Sequence, residues 1–270
     1  MNAAGPFPLV AVDVGNQRTK LGLFDGPMAS GLPEPSRTLS VGNEQPLLEG
    51  VQEWLGDIGE VASWWIGSVN RPATTRLVDW LRNRVPRGEL TLLAAGDLPL
   101  RVDLPRPDMV GIDRLLDAVA ANALRAPDRP AAVVDVGSAI TVDWVSAEGI
   151  FMGGAIAPGI TMSARALHTF TDMLPLVEMS ELENPPPPLG RSTVAAIQSG
   201  LFWGAVGMIR QLIEVQGDGT NPGPQIFVTG GAGPAVAGLL GLTARHVPHL
   251  TLSGIALVAA AQSVPPKFEI

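Results

Sequence analysis

The sequence predicts an α/β fold with mixed sheets flanked by helices, built as two related halves. Three observations carry that expectation. Apolar strand-like runs alternate with runs of helical period, the pattern of α/β chains. Two of the strand runs turn back on themselves as hairpins, which makes the sheets mixed rather than all parallel. A strand–Asp-Val-Gly-polar–strand unit also occurs twice, at Asp13 and at Asp135, 122 residues on. Self-similarity at that distance indicates two related halves rather than a short-period solenoid.

The elements follow in order. Leu9 to Val14 is an apolar strand, Gly15-Asn16 opens a polar turn, and a second strand closes at Asp25-Gly26. Residues 61–66, with Trp64 and Trp65, read as a buried strand. Ala73 to Arg84 has helical period, with Leu77, Trp80 and Leu81 on one face. Leu90 to Ala94 is a short strand, and Gly111 feeds a helical run to Leu124 with Asp113 at or near its N-cap. Ala126 to Pro130 is the linker, dividing a half over residues 1–128 from one over 129–270. The second Asp-Val-Gly hairpin follows, through Val145. Gly153 to Gly159 reads as a turn-rich entry to a helix over 160–169. Pro185 to Pro188 is a stiff surface loop, and Ser192 to Val215 a long amphipathic helix. Gln225 to Thr229 is a strand running into Gly230-Gly231, and Thr251 to Gln262 a closing apolar helix.

Composition bounds the function. Apolar residues make up 46% and charged residues 16%, which excludes a disordered acidic or basic tail protein. The 31 Gly and 25 Pro imply many tight turns. A net charge of −8 without a basic run argues against nucleic-acid binding. An anionic small molecule can bind only where backbone N–H groups, a few Lys/Arg or a metal reverse the local field. The absence of Cys excludes disulfides, thiol nucleophiles and Cys-ligated zinc. The three His (His168, His246, His249) form no HExxH, and no GxSxG elbow supports a Ser-His-Asp triad. They read as structural or surface residues, and the six Trp as mostly core. No apolar run is long enough to predict a membrane span. The first apolar run contains Asp13 and lacks a preceding basic region, so it is not read as a secretory signal and a cytoplasmic enzyme is expected.

Four places can carry chemistry. At Asp13-Val14-Gly15-Asn16, a carboxylate at a strand end followed by Gly leaves N–H groups uncovered. Such a turn can cradle phosphate while the Asp holds Mg²⁺, with Arg18 and Lys20 adding positive charge. The plainer alternative is a hairpin whose Asp and Asn satisfy their own turn. The second copy at Asp135 favours a pair of phosphate turns. Asp113-Arg114 at a helix start is either an N-cap with a surface Arg or a general base beside an anion-binding guanidinium. Thr229-Gly230-Gly231 is a glycine turn that could approach a nucleotide. It is not GxGxxG, and no GxxxxGK[ST] exists in the chain.

The ordered set Asp13-x-Gly-Asn, Gly111-x-Asp-Arg, Asp135-x-Gly-Ser-Ala, Gly153-Gly-x-Ile-x-Pro-Gly, Gly190-x-x-Thr193-x-x-Ala-Ile-Gln-Ser-Gly200 and Thr229-Gly-Gly resembles the type III pantothenate kinases. The resemblance spans roughly residues 9–260. It implies the actin-like, sugar-kinase-like ATPase superfamily: two duplicated ribonuclease-H-like domains with a nucleotide cleft, consistent with the internal repeat. By the same resemblance, Asp13, Val14, Gly15, Asn16, Gln17, Arg18, Thr19 and Lys20 form the first ATP phosphate turn, with Asp13 near Mg²⁺, directly or through water. Asp113 would accept the proton of the pantothenate hydroxyl. Gly111, Ile112 and Arg114 would contact pantothenate, Arg114 at its carboxylate, and Thr193 would help. Asp135 would ligate a monovalent cation, K⁺ or NH₄⁺. Ser138 would meet ATP phosphate, and Thr229, Gly230 and Gly231 would line the nucleotide side. The family forms homodimers.

Three departures stand out. Gln17 replaces a usual Thr, Ser138 replaces a Thr but keeps the hydroxyl, and Leu104 stands where the family commonly has a substrate-contacting Tyr. The expected activity is ATP-dependent phosphorylation of pantothenate, opening coenzyme A synthesis. The alternatives are another small-molecule kinase or phosphatase on the same scaffold, or a non-catalytic regulatory relative.

Overall fold

The computed structural model describes residues 6–27, 31–44, 47–56, 62–84, 89–179, 184–241 and 243–262. Two five-stranded mixed sheets dominate it. The first is built from β1 (Leu9–Val14), β2 (Arg18–Phe24), β3 (Arg37–Gly42), β4 (Ser63–Ser68) and β5 (Leu90–Leu92), in the order β3-β2-β1-β4-β5. Its β1–β2 and β2–β3 pairs are antiparallel, and β1–β4 and β4–β5 are parallel. The second comprises β6 (Ala131–Val136), β7 (Ala139–Val145), β8 (Phe151–Pro158), β9 (Gln225–Thr229) and β10 (Ala244–His246), in the order β10-β9-β6-β7-β8. Its pairs repeat the same senses, antiparallel through β6–β7–β8 and parallel through β6–β9–β10. The duplication read at Asp13 and Asp135 thus extends to whole sheets.

Each centre strand is buried on both faces. All six residues of β1 are buried, because a strand on each edge and covering helices leave it no solvent side. The helices are α1 (Leu47–Leu55), α2 (Arg71–Arg84), α3 (Ile112–Leu124), α4 (Ile160–Thr169), α5 (Thr193–Gln216), α6 (Gly233–Ala237) and α7 (Leu250–Gln262). Val12, Leu21, Trp64, Leu77 and Leu81 belong to one core, and Val134, Val142, Phe202, Val206 and Ile209 to another.

The chain divides into two compact units, the described residues of 1–124 with those of 249–270, and residues 125–248. The division falls one residue before the expected linker. It differs from the expected halves at the C-terminus, where α7 joins the first unit. The reason is steric and polar together. Gly254 lets α7 approach the backbone of α3, where a Cβ would stand 2.2 Å from the Leu116 carbonyl oxygen. Thr251 Oγ1 donates to Asp117 Oδ1 at 2.7 Å in the buried seam.

Other differences are local. β4 runs to Ser68, beyond the expected residue 66, and Val61 lies outside the described residues. α2 begins two residues early because the Asn70 side chain accepts the Ala73 N–H at 3.1 Å, capping the first turn. Residues 151–158, read from Gly153 onward as a turn-rich entry, form β8 instead. Gly153 adopts φ +101° and Gly154 presses on β7, where a Cβ would meet the Val142 oxygen at 2.2 Å. Those glycines serve a close strand pairing with a register shift at Trp144/Val145. β3, α1 and β10 carried no sequence signal that was read. The proline run is held to α5 by Ser199 Oγ on the Pro188 oxygen and Trp203 Nε1 on the Pro186 oxygen, 2.7 and 3.0 Å.

Candidate active site

The first unit assembles a hairpin turn between β1 and β2. Asp13 is 7% exposed and pairs across the ladder with Lys20, whose Nζ lies 3.7 Å from its Oδ2. Gly15 N–H donates to the Arg18 oxygen at 3.0 Å and closes the turn. Gly15 keeps this contact close, since a Cβ would sit 3.1 Å from that same oxygen. Asn16 and Gln17 are exposed at the tip, while Val14 is fully buried. Arg18 points elsewhere: its Nε and Nη2 donate to Ser40 Oγ and the Ser40 carbonyl, each at 2.9 Å. Thr19 is also turned inward, fully buried and donating to Asn43 Oδ1 at 2.8 Å. The side chains of Val14, Arg18 and Thr19 therefore support the turn, and its outward groups are the Asn16–Gln17 backbone and Lys20.

Asp113 lies in the first turn of α3, one residue inside the helix rather than at its cap. Its Oδ1 accepts the Arg114 N–H at 2.8 Å. Gly111 makes room for that carboxylate, because a Cβ would stand 2.6 Å from Oδ1. One residue of β4 and one just beyond it link this turn to Asp13. Gly67 is the ladder partner of Asp13, and a Cβ on it would meet the Leu116 and Ile112 side chains of α3 at 2.7 and 3.7 Å. Val69, whose N–H donates to the Val14 oxygen at 3.0 Å, reaches Gly111. Asp13 and Asp113, a hundred residues apart in the chain, thus share one end of the first unit. Ile112 is buried core, Arg114 is half-buried, and Leu104 lies half-buried in the bend before α3.

The second unit repeats the arrangement with different groups. Asp135 sits on β6 between Thr141 of β7 and Thr229 of β9. Gly137 N–H donates to the Ala139 oxygen at 3.0 Å, closing the turn that presents Ser138. Gly230, at φ +90°, folds over this turn: a Cβ would fall 2.2 Å from Asp135 Oδ1 and 2.6 Å from Val136 backbone atoms. Asp135, Ser138, Thr229 and Gly230 are thereby gathered, with Gly231 exposed beside them. Thr193 stands apart from them, exposed at the first position of α5 after the Ser192 cap. With Gly190, Arg191, Leu167 and Leu174 it lines a cavity of about 670 Å³.

Metal ligation can be tested on the donor chemistry. No group of three His, Asp or Glu converges among the described residues. A divalent ion at Asp13 would therefore take one carboxylate plus phosphate oxygens and water, the manner of Mg²⁺ rather than of zinc or calcium cages. At Asp135 the donor is a carboxylate oxygen, the type a hard cation takes, and Gly230 packs against Oδ1 too closely for a Cβ. No helix among the described residues is long and apolar enough to cross a membrane.

The sequence reading missed Asn43, Asn70 and Arg76. Asn43 follows β3 and is 6% exposed; its Nδ2 donates to the Gly15 oxygen at 2.8 Å and its N–H to the Gln17 oxygen at 3.0 Å. Asn70 Nδ2 donates to the Asn16 oxygen at 3.0 Å, and Arg76 Nη2 holds the Asn43 carbonyl at 2.9 Å. Asn at or just past a strand end is a known turn signal, but nothing local says which turn Asn43 and Asn70 serve.

Comparison with known proteins follows from this geometry. A sequence model of the type III pantothenate kinase family matches residues 9–215. A type III pantothenate kinase of Anaeromyxobacter sp. (strain K) is 33% identical over 259 residues, covering 93% of this chain and 98% of its own. One from Paramagnetospirillum magneticum is 39% identical over 171 residues, 63% of this chain and 64% of that relative. Among solved structures, the activator of the 2-hydroxyisocaproyl-CoA dehydratase from Clostridium difficile, with bound ADPNP, aligns over 94% of this chain and 95% of its own. Its TM-score is 0.54 at 12% identity, which shows a shared fold and no more. With its duplicated sheets, its paired Asp turns and this match over most of its length, the chain belongs to the type III pantothenate kinase family.

Proposed function

We propose that the chain transfers the γ-phosphoryl group of ATP to the primary hydroxyl of pantothenate, giving 4'-phosphopantothenate at the start of coenzyme A synthesis. The observation that carries this reading is the gathering of the Asp13 turn and the Asp113–Arg114 helix start at one end of the first unit. Phosphoryl transfer asks mainly for positioning and charge neutralisation, with little covalent chemistry from the protein. Asp113 accepts the hydroxyl proton as that oxygen attacks phosphorus. Arg114 pairs with the pantothenate carboxylate, a charge-assisted contact that orients the hydroxyl. Within the first unit the Gly15–Gln17 backbone and Lys20 are the phosphate-binding groups; within the second, Ser138 and the Thr229–Gly231 turn are the nucleotide-binding groups. Thr193 contributes to pantothenate binding. When bound at Asp13, Mg²⁺ supplies positive charge against the transferring phosphoryl oxygens.

The finer features belong to the same proposal. Asp135 holds K⁺ or NH₄⁺. Two copies associate, which accounts for the exposed apolar side chains Phe170 and Met173, 85% and 88% exposed. The enzyme works in the cytoplasm, where ATP is made. The test is direct: incubation with ATP and pantothenate should add one phosphate to pantothenate by mass spectrometry. ADP release that is the same with and without pantothenate would overturn the substrate assignment.

A further inference from the structure

We infer that Asn43 and Asn70 are positioning residues for the nucleotide, because they tie the carbonyls of the first turn inward and leave its N–H groups for phosphate. The inference rests on the reading of that turn as an ATP phosphate site.

A turn of alternating dipoles attracts an anion only if its carbonyls face away. Here every carbonyl from Val14 to Arg18 has a protein donor. Val69 N–H takes the Val14 oxygen, and Gly15 N–H takes that of Arg18, both at 3.0 Å. The three oxygens between them go to the two asparagines: Gly15 to Asn43 Nδ2 at 2.8 Å, Asn16 to Asn70 Nδ2 at 3.0 Å, and Gln17 to the Asn43 N–H at 3.0 Å. The N–H groups of Asn16 and Gln17 have no acceptor among the described residues. Two successive N–H groups without acceptors among the described residues, beside Lys20, suit phosphate oxygens.

The chemistry demands asparagine at 43. One short side chain must donate to a carbonyl and accept a hydroxyl at once, and Asn43 does both, through Nδ2 to Gly15 and Oδ1 from Thr19. Aspartate would lose the donor and set a negative charge beside the phosphate; leucine would lose both bonds. Arg76 fixes the Asn43 backbone in turn. Neither asparagine touches the reacting atoms, so each acts through the turn.

Steady-state kinetics of the full chain test this with Asn43→Ala, Asn70→Ser and, as a reference, Lys20→Ala. Asn43→Ala is expected to raise the KM for ATP roughly tenfold, the effect of about one hydrogen bond lost from a pre-organised site, and to leave the pantothenate KM within twofold. Asn70→Ser keeps an oxygen to cap α2 but cannot reach the Asn16 carbonyl, and should raise the ATP KM severalfold; it decides the matter if Asn43→Ala fails to fold. General structural damage would instead lower kcat or move both KM values together. If Lys20→Ala weakens ATP while both asparagine variants keep the wild-type ATP KM, the positioning role is wrong and the phosphate site stands. If all three keep it, the phosphate site itself is misassigned.

Discussion

Replacing Gly254 with alanine sets two effects of opposite sign against each other. In a free helix, Gly→Ala stabilises by about 1 kcal/mol through backbone entropy. In α7 the new Cβ would stand 2.2 Å from the Leu116 carbonyl oxygen and 2.8 Å from its carbon. A relaxed contact lies near 3.4 Å, so α3 and α7 must separate by about 1 Å. The obstacle is backbone, which cannot rotate aside as a side chain can. Overpacking costs about 1–3 kcal/mol, and a rigid obstacle falls at the upper end. The net expectation is a loss of about 1–2 kcal/mol, or roughly 3–6 °C in Tm for a chain of this size. The displacement also reaches the proposed base, because Leu116 is on the same helix as Asp113, one turn further along. A shift approaching 1 Å in a catalytic group lowers kcat by about 10–10²-fold. Calorimetry and coupled ADP release read both effects. A raised Tm with unchanged kcat would show that propensity dominates and that the α3–α7 seam is slack.

Three further outcomes are expected. Asp113→Asn should fold normally and lower kcat by about 10²–10⁴-fold in the same assay; turnover near wild type would remove Asp113 from proton transfer. Activity should require K⁺ or NH₄⁺ and Asp135→Ala should lose that response, whereas equal rates in sodium-only and potassium buffers would refute the cation site. Burial holds the His246 pKa below its ordinary value of 6.5, and its Nε2 is buried without a hydrogen-bond partner among the described residues. The unfolded chain therefore takes up the proton first on acidification, so the His246 contribution is complete above pH 6.5 and is lost as pH falls through the lowered folded value. Thermal melts across pH 7.5 to 5.5 should show a smaller decline for His246→Gln than for wild type; parallel curves would contradict the assignment.

The sequence by itself determined what depends on neighbours a few residues apart. The period of the apolar side chains marked α2 and α5, apolar and Ala-rich runs marked α3 and α7, and the Asp-Val-Gly turns at Asp13 and Asp135 exposed the duplication and the candidate motifs. Ser192 was legible as the start of α5 because a cap bonds three residues ahead, here to the Ala195 N–H. β3 and β10 were not legible, since half-buried sheet-edge strands lack a clean alternation. The glycines of β8 read as a turn because their reason is across the ladder, in the backbone of β7. Only the tertiary structure decided that α7 returns to the first unit, that Arg18 turns from the β1–β2 turn to Ser40, and that Asn43 and Asn70 hold that turn from 28 and 54 residues away. Each of these depends on a backbone carbonyl meeting a group from a distant segment. Such a meeting has no trace in local spacing, because any chain of suitable pattern offers many carbonyls and the packed core selects which of them come within reach.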